Sequence, residues 1–237
     1  MEGPTKQHSG APHLLQRDYW SERAIRRAFA AFLAQHREQL QGKRILDYGA
    51  ADSPYSAMAA SIGATMLAAD IGDPGPEGVR IDPDGHVHLP DDSVDAAIST
   101  QVLEHVPDVQ RYLGEAMRVL KPGAPMLITT HGDWILHRVP TDFRRWTVDG
   151  LRYECESAGL QLESVTPAVG ILASSTHLRT IVVSAVLKRT PVLRWLEPMV
   201  VLAANLRMGL EDLITPASVM ESHPQIIIVL ARKPSTR

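Results

Sequence analysis

The 237-residue chain has a single cysteine, Cys155. No intramolecular disulfide can form, and a reducing, cytosolic compartment is the expectation. Cys155 itself reads as a half-buried helix residue rather than a nucleophile, since no activating partner stands beside it in the pattern. Charge of one sign is also lacking. The formal net charge is -3, and no basic stripe with interleaved aromatics occurs, so nucleic acid is not an expected partner. No run of about 18 uncharged apolar residues is present, which argues against a spanning helix. The first thirteen residues lack the apolar core of a signal peptide. Ten histidines are scattered without metal-ligand spacing, so no metal is expected. The hydrophobic fraction of 44% and charged fraction of 22% are those of an ordinary globular protein with a sizeable core.

Residues 1–16 read as a disordered leader, and 17–237 as a single domain. A helix is expected over Tyr19–Leu40, with Ile25, Phe29, Phe32 and Leu33 on one face. Short apolar runs then alternate with helical patterns, the signature of a parallel sheet covered on both faces. Strands are expected at 44–48, 65–69, 79–81, 95–99, 126–130, 162–165 and 225–231. One helix runs to Leu120 and stops at Lys121-Pro122-Gly123; another is capped by Thr147 and ends at Gly159. Residues 174–220 are apolar but broken by basic residues and prolines, and read as two or three inserted helices.

The sharpest local pattern is Ile45-Leu46-Asp47-Tyr48-Gly49-Ala50-Ala51, a strand entering a tight turn. Gly49 stands where backbone must approach a ligand closely, and the small Ala50 and Ala51 keep the space open. Asp70 follows twenty-one positions after Gly49, at the end of the second strand, where a carboxylate can take hydrogen bonds from ribose hydroxyls. The full G-x-G-x-x-G is absent, which disfavours a pyrophosphate and suits a sulfonium nucleoside.

Asp47-x-Gly49, Asp70, Leu89-Pro90-Asp91-Asp92-Ser93-Val94-Asp95, Val102-Leu103-Glu104-His105-Val106 and Arg118-Val119-Leu120-Lys121-Pro122-Gly123 together resemble the class I S-adenosylmethionine-dependent methyltransferases, the type 11-like branch in particular. The resemblance covers about residues 40–160. It implies an α/β, Rossmann-like, seven-stranded, mostly parallel sheet of order 3-2-1-4-5-7-6, with the last strand antiparallel and helices on both faces. S-adenosyl-L-methionine is the implied cofactor. Asp47, Gly49 and Ala51 would line its methionine part. Asp70 would hold the ribose, Ile71 would pack on the adenine, and Asp84 (or Asp82) with Gly85 would meet the adenine edge. Ser99, Thr100 and Gln101 would form the floor under the sulfonium. His105 reads as helix support.

Methyl transfer needs alignment and exclusion of water, and a hydroxyl acceptor also needs a base. Candidates lie past the fourth and fifth strands. His131 is the first choice as base, with His137 and Asp142 behind it. The segment Pro140-Thr141-Asp142-Phe143-Arg144-Arg145-Trp146-Thr147 is similar to a stretch found in bacterial methyltransferases that are often encoded near glycan or natural-product assembly enzymes. There Arg138, Arg144, Arg145 and Trp146 would meet the acceptor, the arginines suiting a carboxylate or phosphate. The alternative for Arg145 and Trp146 is bridging and packing within the protein.

The expected activity is O-methylation of a small molecule, sugar or glycan- or lipid-linked intermediate; a catalytically silent partner module is the alternative. For residues 174–220, core packing is the commoner expectation, with a homodimer surface or a peripheral membrane contact behind it.

Overall fold

In a computed structural model of the chain, residues 11–51, 53–138 and 140–235 are described. Most of the leader expectation, residues 1–10, lies outside them. Residues 14–18 form turns, and Asn205 donates to the carbonyls of Leu14 and Gln16 at 2.8 Å each.

Seven strands form one sheet: β1 Arg44–Tyr48, β2 Thr65–Asp70, β3 Val79–Arg80, β4 Ala96–Thr100, β5 Pro125–His131, β6 Gln161–Ala168 and β7 Ile226–Arg232. Their order is β3-β2-β1-β4-β5-β7-β6, as the resemblance implies. The first five run parallel, and β7 lies antiparallel to both β5 and β6. The helices are α1 Tyr19–Gln35, α2 Arg37–Leu40, α3 Ser56–Ala60, α4 Val109–Val119, α5 Val148–Ser157, α6 Ile171–Arg189, α7 Glu197–Ile214 and α8 Ala217–Ser222.

Strand alternation divides the core into two layers. Ile45, Ile98 and Leu127 point toward Phe29 and Phe32 of α1. Leu46, Ala97, Met126 and Ile128 point toward Leu113 of α4 and Leu151 of α5. Each fully buried phenylalanine or leucine contributes about 1.5–3 kcal/mol by leaving water. Asp108 caps α4 by accepting from the Arg111 amide at 3.0 Å, and Thr147 caps α5 by accepting from the Gly150 amide at 3.0 Å.

Of the boundaries that differ from expectation, two do so for visible reasons. The first helix breaks at His36, whose backbone (φ -107°, ψ 17°) leaves the helical region, so α1 and α2 replace one long helix. The fourth strand starts after Asp95, whose carboxylate accepts from the Arg44 amide at 3.2 Å and from Lys121 Nζ at 2.6 Å. Helices fill residues 171–222 almost continuously, close to the expected insertion. Among the described residues no helix is long and apolar enough to cross a membrane.

Candidate functional site

The carboxyl ends of β1, β2 and β4 converge where the strand order turns, the place at which open α/β sheets bind ligands. The Gly49 and Ala50 amides both donate to the Ala69 carbonyl, at 2.8 and 3.0 Å, folding the turn after β1 against the end of β2. Asp70 then organises two loops. Its Oδ2 accepts from the Ala51 amide at 3.0 Å and its Oδ1 from the Gly72 amide at 2.8 Å. Gly49 has φ +85°, and a Cβ there would stand 2.6 Å from Val102 Cγ2, so only glycine fits. Ala51 and Ser53, both at φ 43°, and Gln101, at φ 57°, also hold left-handed backbone that side chains ordinarily avoid. Such conformations cluster where the surrounding structure enforces them.

Asp47 is buried, and its Oδ2 accepts from Ser53 Oγ at 2.8 Å. Burial pushes its carboxyl up to about 6; the Ser53 hydroxyl opposes this and the neighbouring Asp70 charge adds to it. A buried carboxylate beside a second one favours a cationic ligand. Ile71, directly after Asp70, leaves 59% of its surface in water, an apolar plate without a partner at the loop edge. Gln101 Nε2 donates to Thr129 Oγ1 at 3.1 Å, while its Oε1 is buried with no hydrogen-bond partner. A cationic group for Asp47, hydroxyls for Asp70, a flat ring for Ile71 and a polar group for Gln101 match S-adenosylmethionine piece by piece.

Other candidates are placed differently. Ser99 is fully buried, and its hydroxyl lies 2.8 Å from that of Tyr112, which donates to the Tyr48 carbonyl at 2.8 Å. Ser99 therefore belongs to sheet–helix packing, not to a floor under the sulfonium. The Tyr48 and Tyr112 rings stack at 3.9 Å above it. Thr100 is buried too, hydrogen-bonded by its side chain to Tyr55. Asp84 lies on the hairpin after β3, ion-paired with Arg111 Nη2 at 2.6 Å. Gly85 offers its carbonyl to the Tyr48 hydroxyl at 3.4 Å. Asp82 pairs with His88 at 2.9 Å.

On the acceptor side, at the end of β5, His131 is buried with its ring stacked on Trp134 (centroids 4.8 Å, planes 2° apart). His131 Nε2 stands 3.5 Å from Oε1 of Glu104, which is fully buried in the short turn after β4. Glu104 Oε2 accepts from Thr130 Oγ1 at 2.8 Å. Neither Glu104 Oε1 nor His131 Nδ1 has a hydrogen-bond partner. Burial raises the Glu104 carboxyl and lowers His131 to about 3, so the ring is neutral at physiological pH. His137 is half-buried, its ring 5.5 Å from that of His105, and burial holds it down as well. His105 Nδ1 lies 2.7 Å from the Thr141 carbonyl, a supporting contact.

Asp142 and Arg145 require correction. Arg145 forms a two-pronged ion pair with Asp142, at 2.5 and 2.6 Å, and also donates to the carbonyls of Trp134, Ile135 and Arg144. Its donors are spent within the protein, so it does not meet an acceptor. Arg145 and the His137 amide outweigh burial and hold Asp142 below the usual carboxylate range, so Asp142 is no base. Trp146 is buried in the main core, with Arg144 over its ring at 5.7 Å, and packs rather than binds. Arg144 donates to the Pro107 carbonyl at 2.9 Å. Arg138 is exposed and has no polar partner among the described residues.

Glu104 carries the geometry yet has no role in the sequence reading beyond its motif. The signal that could have found it is the parallel pairing Thr100↔Thr129, which sets the turn after β4 against Thr130 and His131. A second unforeseen group joins α1, α6 and β7: His177 Nε2 to Asp18 Oδ1 at 3.1 Å, Gln225 Nε2 to His177 Nδ1 at 2.9 Å and Ser21 Oγ to Gln225 Oε1 at 3.1 Å. His177 meets Trp134 edge-on at 4.9 Å, so this network backs the acceptor side.

A family profile described as a methyltransferase domain matches residues 17–162. A protein named as a probable S-adenosylmethionine-dependent methyltransferase, from Mycolicibacterium smegmatis (strain ATCC 700084 / mc(2)155), is 45% identical over 42 residues; the match spans 18% of this chain and 16% of that protein's length. Among solved structures, the 4+2 cyclase SpnF superposes with a TM-score of 0.61 at 18% identity, covering 99% of this chain and 90% of its own. Phosphoethanolamine N-methyltransferase 2 of Haemonchus contortus, solved with phosphomonomethylethanolamine and S-adenosylhomocysteine, gives 0.55 at 13% identity over 89% of this chain and 53% of that one. A SAM-dependent methyltransferase from Mesorhizobium loti gives 0.52 at 20% identity, covering 82% and 92%. At these identities the structural likenesses establish the fold.

Proposed function

Since the chain belongs to the methyltransferase-domain family of class I S-adenosylmethionine-dependent enzymes, we propose that it methylates a hydroxyl oxygen of a small molecule, sugar or glycan- or lipid-linked acceptor. S-adenosylmethionine, when bound, supplies a methyl group already activated by its sulfonium. The protein's part is to hold the acceptor in line and take away its proton.

The observation that carries the oxygen assignment is the buried Glu104–His131 pair with its unpartnered Oε1 and Nδ1. Neutral His131 directs its Nε2 proton toward the Glu104 carboxylate, leaving the Nδ1 lone pair for the acceptor hydroxyl. As the acceptor oxygen takes the methyl group, its proton passes to Nδ1. The adjacent carboxylate then stabilises the imidazolium, offsetting the burial that otherwise keeps His131 neutral. Gln101, bonded to Thr129 one residue before Thr130, links the cofactor and acceptor halves of the site. Asp47, Gly49, Ala51 and Asp70 bind the cofactor, and Ile71 covers its ring. Arg138 and the outer face of Arg144 attract an acceptor carrying a carboxylate or phosphate.

The test is methyl-labelled S-adenosylmethionine offered with a panel of hydroxylated sugars, hydroxy acids and matched amines. Label in an alkali-stable ether, lost on Glu104→Gln with cofactor affinity retained, supports the reading. Label passing only to amines, or full activity in Glu104→Gln, overturns it.

A further inference from the structure

Helix α6 is largely polar inside and apolar outside, and α7 and the turn between them add further exposed apolar side chains. On α6 the inward residues include Ser174, Thr176, His177, Thr180 and Ser184, all buried, while Leu172, Val182, Val183 and Val186 face water. The inward polar groups are largely satisfied: Ser184 Oγ donates to Glu197 Oε1 at 2.6 Å, Thr180 Oγ1 to the Thr176 carbonyl at 2.7 Å, and His177 pairs with Asp18. On α7 Val201, Asn205 and Met208 turn inward, and Met199, Leu206, Leu210 and Leu213 turn outward, Leu213 leaving 81% of its surface exposed. The connecting turn adds Val192 at 77% and Trp195 at 66%. These ten make up more than half of the large apolar side chains exposed among the described residues, a concentration of the kind that marks an interaction surface.

The charge on this hairpin opposes that of the chain. Residues 171–214 carry five cations, Arg179, Lys188, Arg189, Arg194 and Arg207, against three acids, Glu197, Glu211 and Asp212, in a protein of net charge -3; Arg207 is paired with Glu211 at 2.6 Å. Glu197 is engaged by Ser184 and by Lys188 at 3.7 Å. Arg179, Arg189 and Arg194 have no acidic partner among the described residues. Two of the three, with Lys188, flank the exposed Val192 and Trp195 at the tip.

We propose that the α6–α7 hairpin docks the protein on an anionic lipid bilayer. The apolar faces and Trp195 enter the headgroup boundary, and the unpartnered arginines and Lys188 meet lipid phosphates. The outward residues of α7 could also seat a helix of a second copy. A two-fold pairing through this face would bury the apolar side chains, but nothing in the hairpin offers Arg179, Arg189 and Arg194 an acidic partner. An anionic surface answers the apolar and the cationic features together.

Flotation of the full chain with vesicles of phosphatidylcholine plus phosphatidylglycerol, and of phosphatidylcholine alone, tests this. Binding to the first, weakened by salt and absent from the second, is expected. Arg189→Gln with Arg194→Gln should reduce it roughly 30-fold, taking about fivefold per cation, and Trp195→Ser should also weaken it. S-adenosylmethionine affinity, measured by calorimetry on the same variants, should stay unchanged, which separates this inference from the proposed chemistry. Equal binding to both vesicles, or to neither, overturns the proposal. A dimer by light scattering that Leu206→Asp with Leu210→Asp dissociates, without vesicle binding, assigns the face to self-association instead.

Discussion

Replacing Asp47 by Asn should stabilise the free protein while weakening cofactor binding, with opposite dependence on the ligand. Asp47 is buried, and its carboxyl is raised from 3.8 to about 6. A carboxyl raised on folding favours the fold fully below its unfolded value, near 3.8, and loses that contribution as pH rises through about 6. Above pH 6.5 the wild-type protein therefore carries a buried charge whose cost relative to acid pH is about 3 kcal/mol, two pH units at about 1.4 kcal/mol each. Asn keeps the shape and an oxygen for the Ser53 hydroxyl but never ionises. Chemical denaturation of both proteins from pH 3 to 8 should give a difference that grows between about pH 4 and 6 and levels off above about pH 6.5, near 3 kcal/mol in favour of Asn. In a domain of this size that is about 6–12 °C in melting temperature at pH 8. Saturating S-adenosylmethionine should erase or reverse the gain, because only wild type keeps the charged partner. A stability difference independent of pH would refute the assignment of a buried, raised carboxyl. A gain in stability with cofactor affinity intact would remove Asp47 from the site.

Gly49→Ala should lose cofactor binding and at least about 1–2 kcal/mol of stability, since φ +85° and the 2.6 Å approach to Val102 both oppose a Cβ; calorimetry and thermal melts check this together. His131, held to about 3 by burial, should show no ring titration between pH 5 and 8 in nitrogen-edited NMR, and a midpoint near 6.5 would contradict its buried, neutral state. The rate of methyl transfer should rise with pH as the raised Glu104 carboxyl ionises, and His131→Asn should abolish that dependence. Cys155 is buried, with its thiol pushed up to about 12, so maleimide should label it only after unfolding; rapid labelling of the native protein would show the α5 core to be open.

The strands and the tight turn after β1 were legible from local signals, the alternation of apolar runs, a glycine where the chain doubles back and an acid at the next strand's end, while the sheet order followed from what the family resemblance implies. What stayed hidden depends on partners distant in sequence. Ser99 sits in the stretch that should form a floor, but strand alternation turns its hydroxyl to Tyr112 on α4. Arg145 and Asp142 have the residue types for anion binding and base catalysis, yet each is consumed by the other, Arg145 also by three carbonyls and Asp142 by the His137 amide. Glu104 looks like part of a helix start until β4–β5 pairing brings it to His131. In α6 Ser174, His177 and Ser184 lie on the buried side, because Asp133, Asp18, Gln225 and Glu197, distant in sequence from most of them, pair with them. Hydropathy alone cannot tell which face of such a helix the domain will cover.

The most direct test of the account is calorimetric titration of S-adenosylmethionine and S-adenosylhomocysteine into the wild-type protein and into Asp70→Asn, with a nicotinamide dinucleotide as control. The account predicts micromolar binding of both sulfur nucleosides, none of the dinucleotide, and a loss of about 1.5–3 kcal/mol, roughly 10- to 150-fold, on removing the Asp70 charge. A folded Asp70→Asn that binds as tightly as wild type, or a wild type that binds neither nucleoside, would contradict it.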